Sequence, residues 1–202
     1  VPLTPVILTG LGRVVMMHQN DRVSKRLVLA SQSPRRRKLL TQLGVDFDVC
    51  VPSVDESHRP NEGPLEYVTR ISSAKARAVS GGVVLGADTC VSLGTKILGK
   101  PSDLSHAEAM LKELSGQTHQ VITGVAVRFG RRLWNQAAVT DVKFIHLDQT
   151  VIDWYLGLGE SLDKAGGYGL QGAAGGFVSA IHGSHSNVIG LPLVETADLL
   201  LE

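Results

Sequence analysis

Arg26-Leu27-Val28-Leu29-Ala30-Ser31-Gln32-Ser33-Pro34-Arg35-Arg36 is the stretch that decides the fold class. Its first half is a short uninterrupted apolar run, the pattern of a buried strand. Ser33 then offers a helix N-cap, and Pro34 suits the first helical position, where its missing N–H costs nothing. Leu39, Leu40 and Leu43 make the apolar stripe of that helix, and Gly44 supplies its stop. A second strand is predicted over residues 47–51, so the chain opens on a strand–helix–strand unit.

Outward from this unit the alternation continues. Residues 52–63 form a polar loop rich in Pro, Ser, Asp and Glu. Residues 64–80 predict a helix with Leu65, Val68, Ile71 and Ala78 on its buried face, and Glu66, Arg70, Lys75 and Arg77 on a mostly solvated one. Residues 83–87 read as a buried strand, extended by 90–93 beyond Asp88. A turn at Gly94-Thr95 leads into a short strand over 96–98. Ser102 or Asp103 caps a helix that runs to Leu114 and closes at Gly116. Two long strands, 119–129 and 133–147, meet at Gly130-Arg131. Asp148 caps a short helix, residues 157–176 are mostly loop, 177–181 is a strand, and 192–201 is the closing helix. The long consecutive strands predict antiparallel pairing and the opening unit parallel pairing. The fold class is therefore α/β with a mixed sheet flanked by helices. No linker divides residues 26–202, and residues 1–25, with Pro2, Pro5, Gly10 and Gly12, read as an N-terminal extension outside that domain.

Composition removes several functions. The 202 residues suit a single domain with a sizeable core. Lys and Arg total 20 against 19 Asp and Glu, and a net charge of +1 argues against holding nucleic acid by bulk electrostatics. An aromatic content of 4% offers too few rings for rows of base-stacking platforms. No apolar run reaches the roughly 18 residues a membrane-spanning helix needs, and the apolar N-terminal stretch has no basic segment ahead of it, as a secretion signal would. Cys50 and Cys90 exclude a disulfide scaffold or a Cys-rich zinc module and read as reduced thiols of a cytoplasmic protein.

Four polar clusters carry chemical meaning. Ser31-Gln32-Ser33-Pro34-Arg35-Arg36 lies at a helix start, where free N–H groups and the positive dipole end favour phosphate. Arginine there opposes the dipole, so a helix built only for stability would carry Asp or Glu instead. Asp55-Glu56 sets two carboxylates side by side, a pattern that suits a hard divalent cation or a solvated acidic loop. Asp88 in Gly86-Ala87-Asp88-Thr89 reads as a partly desolvated acid at the end of an apolar strand, fit for a general base, or as a turn former. The run from Gly94 to Pro101 nearly matches a phosphate-binding P-loop, but Pro101 stands where the metal-binding hydroxyl belongs, and the interior reads as a hairpin strand. The P-loop is rejected, while Lys100 is retained as a phosphate-binding cation held by Pro101. His182-Gly183-Ser184-His185 reads as a surface loop, and Cys90 as a buried structural thiol.

In order along the chain, these residues resemble the Maf family of nucleotide pyrophosphatases. The likeness runs through Leu27 to Arg36, Asp55-Glu56, Lys75-Ala76, Gly86 to Thr89 and Gly99-Lys100-Pro101. It continues through Leu114 to His119, Asp163 to Gly172 and Asn187 to Leu193. It implies an elongated mixed α/β fold similar to inosine triphosphate pyrophosphatases, usually as a homodimer. It also implies hydrolysis of a nucleoside triphosphate to monophosphate and pyrophosphate with a divalent cation, Mg or Mn. Arg35, Thr89 and Gln171 resemble the branch acting on dTTP and UTP rather than the one preferring 7-methyl-GTP. On this reading Ser31, Ser33, Arg35, Arg36, Lys75, Thr89, Lys100 and Gln171 bind substrate, and Glu56 and Asp88 hold the metal. Asp88 is also the catalytic residue that orients or deprotonates water. A non-catalytic nucleotide-binding regulator of cell division is the alternative, with neither nucleic acid nor membrane as a partner.

Overall fold

The computed structural model describes residues 26–202, so the reading of residues 1–25 as an extension lies outside the described residues. The opening unit folds as its sequence predicts. Strand β1 (Leu27–Ala30) leads into helix α1 (Pro34–Gln42), whose N-cap Ser33 accepts from the Arg36 N–H, and β2 (Phe47–Val49) returns beside β1 in parallel. β2 is shorter than the predicted 47–51. Helix α2 (Pro64–Ala78) precedes the long strand β3 (Val83–Leu93), and a hairpin turn joins β3 to β4 (Lys96–Leu98), which removes the P-loop geometry as expected. Helix α3 (Leu104–Leu114) takes its N-cap from Asp103. Strands β5 (Thr118–Phe129) and β6 (Arg132–Phe144) form a long antiparallel pair. Helix α4 (Gln149–Gly157), β7 (Val178–His182), α5 (His185–Ile189) and α6 (Leu193–Leu201) complete the chain.

The sheet order is β2-β1-β3-β5-β6-β7, with β4 pairing β3 off this path. β2, β1 and β3 are parallel, and every later pairing is antiparallel, which is the mixed sheet the sequence implied.

Three expectations are corrected. Asp88 does not end a strand, because β3 runs continuously through it from Val83 to Leu93 with β5 alongside. The buried face of α2 is Val68, Ile71, Ser72, Lys75 and Ala76, while Leu65 is 51% exposed and Ala78 is also exposed. The stripe had the right period but contained a serine and a lysine, so a search for apolar residues placed it out of phase and set Lys75 on the wrong face. The segment after His182 holds the short helix α5, capped by Ser184, rather than a loop alone; five residues are too few to show a helical period.

Two features of β3 create the site. First, β1 pairs with it only as far as Gly86, and β4 pairs with it only from Val91. Between these limits, residues 87–90 have no strand partner on that edge among the described residues. Second, α2 lies directly on the strands at Gly86 and Gly124. A Cβ added at Gly124 would sit 2.5 Å from the Val68 carbonyl, and one at Gly86 would sit 2.7 Å from the Ala76 nitrogen. Glycine at these two positions allows the close approach of backbone to sheet. The two larger of four hydrophobic clusters flank this stretch of β3. One gathers Leu27, Leu29, Leu40, Leu85, Val125 and Leu191; the other gathers Val91, Leu111, Leu114, Phe144, Tyr155 and Phe177.

Candidate active site

A cavity of about 930 Å³ opens at the unpartnered edge of β3. Its lining includes Ser31, Ser33, Arg35, Arg36, Glu56, Lys75, Asp88, Thr89, Lys100 and Gln171, so the ten residues to which the resemblance gives a role meet in one cleft. Asp88 and Thr89 point to opposite faces of the sheet, as neighbours on a strand must. Both reach the cleft because it wraps around the edge where β1 has ended.

The α2 face holds the charged centre. Lys75, only 7% exposed, places Nζ 2.7 Å from Asp88 Oδ1 and 2.8 Å from Glu56 Oε1. Asp88 is 6% exposed. The buried ammonium is therefore paired on two sides, as a buried charge must be. Tyr67, one turn before Ile71 on α2, donates its hydroxyl to the Glu56 carbonyl at 3.0 Å and fixes the loop that carries Glu56. Burial, then the nearby Asp88 and Glu56 carboxylates, push the Tyr67 phenol above its ordinary range. Cys90 is buried, and burial reinforced by Asp88 pushes its thiol up to about 12, which fits a structural thiol.

Asp55 and Glu56 are separated by the fold. Asp55 turns away from the cleft and accepts from the Ser57 N–H at 2.9 Å, a contact that lowers its pKa. Only Glu56 faces the cavity, so the adjacent pair does not act as one cation site.

The start of α1 supplies the opposing charge. Arg36 donates from Nε to the Gly190 carbonyl at 2.7 Å, from Nη2 to Thr89 Oγ1 at 2.9 Å and from Nη1 to Ser31 Oγ at 3.4 Å. Burial lowers its pKa, and Asp88 partly offsets that effect. Ser31 Oγ also accepts from the Ser33 N–H at 3.2 Å, which leaves its own proton available to a ligand. Pro34 has no N–H and Arg36 gives its own to Ser33, so the helix start contributes mainly side chains and the Arg35 N–H. The phosphate-type site here is thus built more from hydroxyls and guanidinium than from the helix dipole.

Across the cleft, Lys100 follows β4 beside the buried Pro101, and Gln171 lies in the glycine-rich segment. Neither side chain has a hydrogen-bond or ion-pair partner among the described residues. Arg35 links the two sides through Asp163 at 3.5 Å. Lys96 and Lys164 also line the cavity but are engaged with Glu113 and Asp163. Lys164, Asp163 and Tyr67 were not singled out from the sequence. Lys164 and Asp163 sat inside the resembling stretch without a distinguishing pattern, and Tyr67 read as an ordinary helix residue. Tyr168, behind the glycine-rich wall, is fixed from below: its hydroxyl lies 2.6 Å from His119 Nε2, and Phe144 meets both rings edge-on.

A mixed α/β sheet whose open edge sets a lysine between two carboxylates, opposite a basic helix start, defines an anion-handling α/β protein. The chain belongs to the Maf-like protein family, which it matches over residues 26–202. It is 54% identical to a dTTP/UTP pyrophosphatase of Anaeromyxobacter dehalogenans (strain 2CP-C) over 183 residues, covering 88% of this chain and 94% of the relative. A dTTP/UTP pyrophosphatase of Escherichia coli O157:H7 is 50% identical over 182 residues, covering 86% of this chain and 91% of the relative. One from Symbiobacterium thermophilum is 47% identical over 182 residues, covering 88% and 94%.

Proposed function

We propose that this protein hydrolyses nucleoside triphosphates to the monophosphate and pyrophosphate, with dTTP, UTP and related or modified pyrimidine nucleotides as substrates. The observation that carries the reading is the buried Lys75–Asp88 pair, joined by the more exposed Glu56 and facing Arg36 and Ser31 across one cleft. The relatives named dTTP/UTP pyrophosphatase support it. A purely regulatory pocket would gain nothing from a buried carboxylate set against anionic phosphate.

The residues divide the work. Asp88 Oδ1 is occupied by Lys75, so Oδ2 is the oxygen that orients the attacking water and takes its proton. A guanidinium has five N–H donors. Three of those on Arg36 are committed, to Gly190, Thr89 and Ser31, which leaves two for phosphate oxygens. Lys100 and Arg35 add cations where charge builds on the leaving pyrophosphate, and fixed cations there stabilise the transition state. Ser31 and Ser33 bracket the same corner. Gln171, carrying both a donor and an acceptor, pairs with the imide edge of thymine or uracil.

A divalent cation, Mg or Mn, belongs to this reading. Glu56 and Asp88 both line the cleft, and Lys75 Nζ takes one oxygen of each, Oε1 and Oδ1, so Glu56 Oε2 and Asp88 Oδ2 are the oxygens that would hold the cation. Two carboxylates with substrate phosphates and waters completing the shell is a donor set that suits Mg²⁺. No group of three or more His, Cys, Asp or Glu that could hold a metal occurs among the described residues, so the other ligands would fall to nucleotide and water. When bound, the cation would offset charge developing on the phosphate oxygens. The reading also includes a homodimer, for which the exposed Trp154 and Leu158, one turn apart at the end of α4, offer an apolar contact. It places the protein in the cytoplasm, in keeping with two free cysteines and no helix among the described residues long and apolar enough to cross a membrane.

Pyrophosphate release from dTTP, UTP, GTP and 7-methyl-GTP, compared as kcat/KM at one concentration of magnesium or manganese, tests the proposal. dTTP and UTP are expected to lead. No release from any of them would sink the reaction, and a purine nucleotide in the lead would sink the substrate assignment.

A further inference from the structure

On the sheet face away from α2, β3 and β5 carry one polar pair between two cores. Leu85 and Val125 feed one core, and Val91 and Val121 feed the other. Between them sit Thr89 and Thr123, cross-strand partners with hydroxyl oxygens 2.9 Å apart. Thr123 is fully buried. Each hydroxyl has one proton, so the direction of their hydrogen bond is set by their other neighbours.

The backbone carbonyl of Asn187 lies 3.2 Å from Thr123 Oγ1. It belongs to the end of α5, where carbonyls lack intrahelical donors. The nearby N–H groups of Gly190 and Leu191 both turn to the Ser186 carbonyl instead. Thr123 is therefore the donor that reaches the Asn187 carbonyl. Were its proton turned to Thr89, a buried carbonyl would lose its partner, the costlier arrangement. With the Thr123 proton committed, Thr89 must donate to Thr123, and the Thr89 oxygen is left to accept from Arg36 Nη2 at 2.9 Å. The line runs one way: Arg36 to Thr89 to Thr123 to Asn187. The same helix end holds Arg36 again through the Gly190 carbonyl, and Gly190 lies beside Thr89.

We propose that Thr89 and Thr123 are positioning residues for Arg36. Thr89 gives no hydrogen bond to the nucleotide. Its hydroxyl, turned by Thr123, holds the guanidinium so that the uncommitted N–H groups face phosphate. This rests on the reading of the cleft as a triphosphate site.

The test pairs Thr123→Val, which keeps shape and removes the hydroxyl, with Thr123→Ser, which retains it. Each is made in wild-type and Arg36→Ala backgrounds. Hydrolysis of dTTP and calorimetric binding of inorganic triphosphate are both measured. Thr123→Val is expected to lower kcat/KM and weaken triphosphate binding about tenfold, the scale of one charge-assisted contact. Thr123→Ser should stay within about twofold, and Thr123→Val should have no further effect once Arg36 is alanine. Equal losses for Val and Ser, or losses that multiply with Arg36→Ala, would overturn the proposal in favour of a packing role. If Thr123→Val does not melt cooperatively, Thr89→Val carries the same test, with the same loss expected only where Arg36 is present. A wild-type protein that releases no pyrophosphate from dTTP, yet binds inorganic triphosphate in an Arg36- and Thr123-dependent way, would overturn the functional reading and uphold the positioning line.

Discussion

The two walls of the cleft are built on opposite plans. On the wall made by α1, α2 and β3, the polar groups already hold one another: Lys75 bridges Glu56 and Asp88, and Arg36 is tied to Gly190, Thr89 and Ser31. On the wall made by Lys100 and the glycine-rich segment, Lys100 and Gln171 have no partner among the described residues. The first plan suits chemistry, because charges fixed in advance need no reorganisation as the reaction proceeds. The second suits recognition, because a side chain with open hydrogen-bonding capacity gains a partner only from the right ligand. The loop wall nevertheless has a rigid backing in the ring cluster of His119, Phe144 and Tyr168.

Breaking the fixed wall should cost most. Asp88→Asn keeps the size of the side chain and removes its charge, and kcat/KM for dTTP is expected to fall at least about 100-fold, with a cooperative thermal melt retained. Near-normal pyrophosphate release from a folded Asp88→Asn protein would remove Asp88 from the reaction.

The backing of the loop wall should show itself in acid. Burial lowers the pKa of His119 from 6.5 to about 4. Between those values the unfolded chain binds more protons than the folded one, so the contribution of neutral His119 is fully present above about pH 6.5 and is lost as pH falls toward 4. Urea unfolding should lose about 2 kcal/mol between pH 7 and pH 5 from this group alone. His119→Gln should flatten that dependence, and an unchanged slope in the variant would place the acid sensitivity elsewhere.

Arginine and lysine on the two walls sharpen the contrast. Arg36→Ala should lower kcat/KM about tenfold or more, and Lys100→Ala only about threefold, since a pre-oriented fork loses more than a single unpaired ammonium. The reverse order would put the principal phosphate contacts on the loop wall. The smallest effect concerns choice of base. Gln171→Leu should reduce the dTTP-over-GTP ratio of kcat/KM about fivefold, the scale of one neutral hydrogen bond, with little change in kcat. An unaltered ratio would mean that Gln171 only braces its loop.

Legibility in the sequence followed the range of the interactions. Ser33, Pro34 and Gly44 bounded α1 correctly because caps and stops act within a few residues. Residues 88 and 89 were visible as polar interruptions of an apolar run. Lys75 was picked out only by resemblance, since its own helix pattern suggested a solvated lysine. Asp55 and Glu56 looked equivalent as neighbours, and nothing local to the chain says which of them turns inward.

By itself the sequence determined the order of the strands and of every helix but α5, the parallel start and antiparallel continuation of the sheet, and some of the polar residues that line the cleft, such as Arg36 and Asp88. These depend on period, capping and charge over short spans. Only the tertiary structure decided that β3 runs unbroken through Asp88 and that β1 and β4 leave residues 87–90 open between them. It alone turned Thr89 toward Thr123, which in turn reaches the Asn187 carbonyl, rather than leaving the Thr89 hydroxyl free. Strand length past a neighbour, the approach of α2 over Gly86 and Gly124, and the direction of a buried proton are set by groups far apart in the chain, and their energies exist only once those groups are packed together.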